Sequence, residues 1–285
     1  GSTLAVERVL QRDDVYVVSN PEFLREGTAV HDFLHPDRVV IGSADRSAAE
    51  RVAELYADID TPIHITDPAS AETIKYAANG FLAMKISFVN AVAAMCEAVG
   101  ADVAAVVDGI GSDQRIGSQF LRPGPGWGGS CFPKDSRALV KIAEDHGYNF
   151  TMMRGVIDVN DEQLERMVDK ISVAAGRSGD DLNGVTVGAL GLTFKAGTDD
   201  LRESPALDVI GLLRQKGADI AYHDPYIPHL SHDDWEMDSV PDVMQAVAEV
   251  DCVVIITNHK DYDYDAILEQ AVLIIDTRNA LGPKG

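Results

Sequence analysis

The sequence predicts an α/β protein in three parts. Short β-branched runs near the start share their stretch with a helix pattern, a long apolar helix pattern follows, and from Asn183 the order becomes strand, loop, helix, strand. At 285 residues the chain is long enough for about two compact units, at roughly 100–200 residues per domain. The parts are 1–66, 67–176 and 183–285, with Ser178-Gly179-Asp180-Asp181 as the expected hinge.

In the first part, Val15-Tyr16-Val17-Val18 and Arg38-Val39-Val40-Ile41 read as strands, Arg46 to Tyr56 as a helix, and Ile63-His64-Ile65 as a third strand. So few elements cannot close a doubly wound domain, so this part is expected to be the end of a larger one. Gly1-Ser2 reads as a tag-cleavage scar with no signal peptide after it. From Pro68 to Val99 a helix is expected, capped by Asp67, begun by Pro68 and stopped by Gly100. Ile74, Phe81, Ile86, Phe88, Val89, Val92 and Met95 place apolar surface on several sides, as in a helix buried between domains or in a dimer interface. Further helices are expected at Asp102 to Asp108, after Pro133 to His146, and at Met152 to Ala175. Between Gly111 and Ser130 the run Arg122-Pro123-Gly124-Pro125-Gly126-Trp127-Gly128-Gly129 dictates an irregular loop. The last part opens with Val185-Thr186-Val187 and a helix at Pro205 to Gln215. Strands at Asp219-Ile220-Ala221-Tyr222, Val253-Val254-Ile255-Ile256 and Val272-Leu273-Ile274-Ile275 complete a parallel sheet.

A net charge of −22 opposes binding to nucleic acid and to anionic membranes. It still permits an anionic small ligand where basic residues gather in one cleft. No apolar run approaches the roughly 20 residues of a membrane span. Cys96, Cys131 and Cys252 are odd in number and widely spaced, which suggests neither disulfides nor a metal site and fits a reducing cytoplasm.

Cys131 stands where the glycine turn Gly128-Gly129-Ser130 meets the helix begun by Phe132-Pro133-Lys134-Asp135. Helix N-terminal amides and a nearby lysine favour thiolate, and a glycine turn leaves backbone room for substrate, so Cys131 is the candidate nucleophile. Cys96 in mid-helix and Cys252 in a strand read as structural. Lys75 and Asn79, four apart, share one helix face and can reach one substrate oxygen. Asn20-Pro21-Glu22-Phe23-Leu24-Arg25-Glu26-Gly27 follows a strand, at the sheet edge where ligand loops lie, and its carboxylates could supply a general base. An ordinary solvated turn explains that segment equally well.

Taken together these segments resemble the UDP-glucose and GDP-mannose dehydrogenase family over nearly the whole chain. Asn20 to Gly27, Lys75 with Asn79, Arg115-Ile116-Gly117, Gly128 to Asp135 and Gly191-Leu192-Thr193-Phe194-Lys195 occur in the family's order and at its approximate spacings. Ser130 resembles the branch acting on UDP-glucose, since N-acetylated-sugar enzymes tend to carry His there. The resemblance implies the end of an N-terminal Rossmann domain, a central helical dimerisation region and a C-terminal Rossmann-like UDP-binding domain. It implies an NAD-dependent double oxidation of UDP-glucose at C6 to UDP-glucuronate, in a homodimer formed through the long helix. Cys131 would attack the intermediate aldehyde, and Lys75 and Asn79 would hold the oxyanion. Asp135 would position water or accept a proton, and Glu22 would serve as base in hydrolysis of the thioester. Phe23, Leu24, Arg25, Glu26, Lys75, Asn79, Arg115, Phe120, Leu121, Arg122, Pro123, Gly124, Gly128, Phe194, Lys195 and Arg278 would hold the sugar nucleotide. Glu26, Lys134 and Arg202 would touch NAD.

Two departures qualify the resemblance. No glycine-rich phosphate loop precedes Val15, and Gly188-Ala189-Leu190-Gly191 lacks its spacing, so most of the NAD-binding domain is expected to be missing and the chain to reduce no NAD alone. Thr3 stands in the wrong context for the family's threonine. Three alternatives stay open: a GDP-mannose or UDP-N-acetylhexosamine enzyme, a non-catalytic nucleotide-binding module, and a cysteine hydrolase with a Cys/His pair.

Overall fold

The computed structural model describes residues 2–177, 181–232 and 235–282. The chain falls into two compact units, 1–80 and 81–285.

In the first unit, α1 (Ser2–Leu10) and α2 (Ala29–Leu34) precede β1 (Val39–Gly42); α3 (Arg46–Ala53) continues into a 3-10 turn (Glu54–Tyr56), and β2 (Ile63–Thr66) follows. β1 and β2 pair in parallel, Val39 opposite Ile63. Val39, Ile41 and Ala49 are buried against Val18, Val52, Tyr56 and Ile65. Val15 to Val18 form no strand; the segment contributes one antiparallel bridge, Ser19 to Gly42. Their β-branched side chains pack without a ladder partner among the described residues, so propensity alone misled. Ser2 opens α1, and Thr3 is buried with its amide and hydroxyl both donating to Glu72 at 2.8 Å.

α4 (Pro68–Val99) matches its expected bounds. The Ser70 amide donates to Asp67 at 2.9 Å, and Gly100 leaves the helix at φ +72°. Its 18-residue window of mean hydropathy 1.5 makes α4 long and apolar enough to cross a membrane. A scan for uninterrupted apolar runs did not foresee this, because small and polar residues break the run while leaving the average high.

The second unit continues with α5 (Val103–Gly111), α6 (Phe132–Asp145) and α7 (Thr151–Ala174), and then β3 (Thr186–Leu190), α8 (Pro205–Gln215) and β4 (Asp219–His223). An antiparallel hairpin, β5 (His229–His232) and β6 (Trp235–Asp238), precedes α9 (Gln245–Ala248), β7 (Cys252–Ile255), α10 (Tyr264–Gln270) and β8 (Ile274–Asp276). Of the expected hinge at 178–181, residues 178–180 lie outside the described residues. Four parallel strands run in the order β4-β3-β7-β8. One face buries Val187, Ala189 and Val254 under α7 and α8; the other buries Leu190, Val253 and Ile255 under α9 and α10. Both faces are covered, which is why these strands read as near-continuous apolar runs.

Gly188 and Gly191 serve this packing. A Cβ on Gly188 would lie 1.8 Å from the Ala246 carbonyl oxygen, and one on Gly191, at φ +81°, 2.2 Å from that of Thr257. Gly188→Ala should therefore lower stability by about 1–3 kcal/mol or more, read as an earlier midpoint in urea unfolding. An unchanged midpoint contradicts this account of β3.

Candidate active site

The first unit gathers the Asn20–Gly27 loop beside α4. Lys75 donates to the Glu22 carbonyl at 2.7 Å and to its carboxylate at 3.0 Å, and the Leu24 amide donates to the same carboxylate at 2.7 Å. The Phe23 ring lies under the Arg38 guanidinium at 3.8 Å, with the Lys75 ammonium 5.5 Å from its centre. Asn79, one turn beyond Lys75, is buried. Asn20 is structural: it donates to the Val40 carbonyl and accepts from Tyr56. Arg25 forms a two-pronged pair with Asp32 at 2.6 and 3.0 Å, and Thr28 joins the same carboxylate. Those donors hold Asp32 well below the usual carboxylate range. Sequence reasoning missed Asp32.

In the second unit, the Gly-Pro loop is held by amide and hydroxyl side chains from two helices. From α4, Asn90 accepts from the Gly124 amide at 2.8 Å, while Ser87 accepts from the Trp127 indole at 2.9 Å and donates to the Val156 carbonyl. From α7, Asn160 accepts from the Trp127 amide and donates to its carbonyl, and Gln163 donates to the Gly124 carbonyl at 2.8 Å. A loop without its own secondary structure has its backbone groups satisfied this way. Phe120, at φ +62°, sets its ring edge-on to Phe132 with centroids 6.2 Å apart; Leu121 is buried and Arg122 exposed.

The loop delivers Cys131 to the head of α6 as its N-cap residue. Its thiol is half-buried and lies 3.6 Å from the Ser130 hydroxyl. One turn in, Asp135 is buried and pairs with Lys134, whose side chain is mostly exposed. The turn before Cys131 offers less room than its glycines suggest. A Cβ on Gly128 would lie 1.9 Å from the Glu203 carbonyl oxygen, and one on Gly129, at φ +80°, 2.7 Å from the Phe194 ring. The Gly129 amide donates to the Arg202 carbonyl at 3.0 Å. The space on the Cβ side of these glycines is taken by the protein's own Glu203 carbonyl and Phe194 ring, which sets the cysteine turn against the Phe194–Glu203 segment.

Arg278 lies against Gly124, whose added Cβ would come within 2.9 Å of the guanidinium, and it donates from Nε to the Ile256 carbonyl at 2.7 Å. Burial pushes this guanidinium down to about 10. Arg115 and Arg202 each form a side-chain pair with the aspartate two residues before, Asp113 and Asp200. Each of Arg115, Arg202 and Arg278 also donates its amide to that aspartate. The repeated Asp-x-Arg spacing was a readable signal that went unused. Lys85, also unnoticed, donates to the Ile116 and Gly117 carbonyls and so fixes the turn bearing Arg115. Burial pushes the Cys252 thiol up to about 12, which agrees with a structural role; Cys96 is likewise buried. No cluster suited to a metal ion occurs among the described residues.

Exposed cations beside the cysteine turn, Lys134 and Arg202, suit the anionic part of a dinucleotide. Between Ser2 and Thr66 the only glycines are Gly27 and Gly42, so those residues include no glycine-rich turn of the pyrophosphate-binding type.

Three models of one family match the chain: the NAD binding domain of the UDP-glucose/GDP-mannose dehydrogenase family over residues 2–60, its central domain over 69–162 and its UDP binding domain over 188–283. The first match corrects one expectation. The NAD-binding domain is represented here rather than largely missing, because its pattern extends well beyond the phosphate loop. Ser2 lies inside the match and inside α1. UDP-glucose 6-dehydrogenase TuaD of Bacillus subtilis is 46% identical over 92% of this chain and 58% of its own length. UDP-glucose 6-dehydrogenase of Rhizobium meliloti is 44% identical over 96% of this chain and 65% of its own. The chain thus spans about three fifths of these relatives. The solved structure of a UDP-glucose dehydrogenase from the archaeon Pyrobaculum islandicum superposes with a TM-score of 0.87 at 34% identity, over 99% of this chain and 64% of that one. On three consecutive domain matches and this shared fold, the chain belongs to the UDP-glucose/GDP-mannose dehydrogenase family.

Proposed function

We propose that the protein oxidises UDP-glucose at C6 to UDP-glucuronate, with Cys131 as the nucleophile. The observation that carries this reading is the placement of a half-buried thiol at the head of α6, in a glycine turn packed against Phe194, with Asp135 buried one turn along. Phe23 to Glu26, Arg115, the Phe120–Gly124 loop, the Gly128 backbone, Phe194, Lys195 and Arg278 together hold the sugar and its diphosphate. Cys131 adds to the C6 aldehyde, and Lys75 and Asn79 donate to the oxygen that becomes negative. The adduct is a thiohemiacetal, and loss of its C6 hydride to bound NAD would leave a thioester; Asp135 orients water toward that thioester and Glu22 takes the water's proton. NAD, when bound near Glu26, Lys134 and Arg202, supplies the hydride acceptor.

The relatives named for UDP-glucose support that substrate over GDP-mannose or a UDP-N-acetylhexosamine. Ranking the rise in melting temperature given by UDP-glucose, GDP-mannose and UDP-N-acetylglucosamine checks the choice: UDP-glucose should give the largest, and a larger rise with either rival overturns it. Cys131→Ala should abolish uronate formation, a loss of at least 10³-fold by analogy with other covalent catalysts, and leave UDP-glucose binding within about twofold. Uronate production by that variant would rule out the covalent route.

The dimer is part of the same reading. Phe81, Phe88 and Met95 are 58%, 55% and 57% exposed at seven-residue intervals on α4, with Val99 beyond them. An apolar stripe at that period is a helix-packing seam. Phe88→Asp should convert a dimer to a monomer in light scattering, and a monomeric parent protein would defeat the assignment.

A further inference from the structure

We infer that His259 and Asp224 are a buried positioning pair for the loop carrying Phe194 and Lys195. The hydrogen-bond pattern of one imidazole then helps set the affinity for a nucleoside diphosphate. The inference rests on the reading of Phe194 and Lys195 as diphosphate-binding residues.

Both side chains are inaccessible to solvent. His259 Nδ1 accepts from the Gly197 amide at 3.2 Å, so the ring proton of the neutral imidazole sits on Nε2. Nε2 lies 3.1 Å from Asp224 Oδ2 and 3.3 Å from the Thr193 hydroxyl. That hydroxyl donates to the Lys195 carbonyl at 2.9 Å, which leaves its lone pairs to face Nε2–H. Asp224 in turn accepts from the Leu192 amide at 2.6 Å and the Tyr226 amide at 2.8 Å. The pair therefore grips the loop at Leu192 and again at Gly197, on either side of Phe194 and Lys195. Thr198 also donates to the Lys195 carbonyl, and Thr257 to that of Thr193.

The rings of Tyr226 and Tyr262 enclose the imidazole at 5.1 and 5.8 Å. Burial works against an ionised Asp224, yet the donors from His259, Leu192 and Tyr226 hold it below the ordinary carboxylate range. Apolar packing of equal volume stabilises a core at least as well as such a pair. The directional bonds add a fixed loop geometry. The Phe194 ring carries that geometry to Gly129 in the cysteine turn.

Calorimetric titration of the protein with UDP tests the inference, alongside the melting temperature. His259→Phe should weaken UDP at least tenfold, and His259→Asn, which keeps an acceptor near the Gly197 amide, should recover part of that loss. Should the Phe variant not fold, His259→Asn and Asp224→Asn carry the comparison, each expected to weaken UDP by several-fold. A folded His259 variant with a lowered melting temperature but unchanged UDP affinity, in a background where Lys195→Ala loses binding, overturns the positioning role. If Lys195→Ala binds UDP like the parent, the diphosphate reading fails first and the inference falls with it.

Discussion

The constraint on which the second unit's site depends is the absence of side chains at Gly128 and Gly129. With no Cβ there, the backbone at Glu203 and the ring of Phe194 approach within distances that any other residue would forbid. The cysteine turn and the loop after β3 are thereby locked together, although more than 60 residues separate them in sequence. On the proposed reading, this packing contact would join the nucleophile and a ligand-holding loop into one site.

The support behind this contact is polar and buried. Asn90, Asn160 and Gln163 satisfy the Gly-Pro loop from the helix side, and His259 with Asp224 satisfies the loop after β3 from the sheet side. Each arrangement is directional, so it fixes a geometry where apolar contact would only exclude water. The arginines follow the same logic. An aspartate holds each of Arg25, Arg115 and Arg202, which on the proposed reading would reduce the ordering cost of binding an anion in a protein of net charge −22.

Much of this was legible in the sequence. The caps of α4, the glycine turn ahead of α6 and the α/β order from Asn183 follow from local rules, and the motif segments taken together led to the family. What stayed hidden was mostly non-local. His259 carries no local sequence signal, and its link to Asp224 spans 35 positions. The Val15–Val18 run had strand propensity but no full ladder to join, and the weight given to a single phosphate-loop motif led to an expectation that the NAD-binding domain is largely missing, although its pattern matches residues 2–60.

The central claim is that Cys131 and the residues around Phe194, Lys195 and Arg278 form one site. A UDP-linked haloacetyl reagent followed by peptide mass mapping tests it most directly. The account predicts alkylation at Cys131 alone, suppressed by excess UDP. Labelling spread over Cys96 and Cys252, or labelling of Cys131 that UDP leaves unchanged, would contradict it.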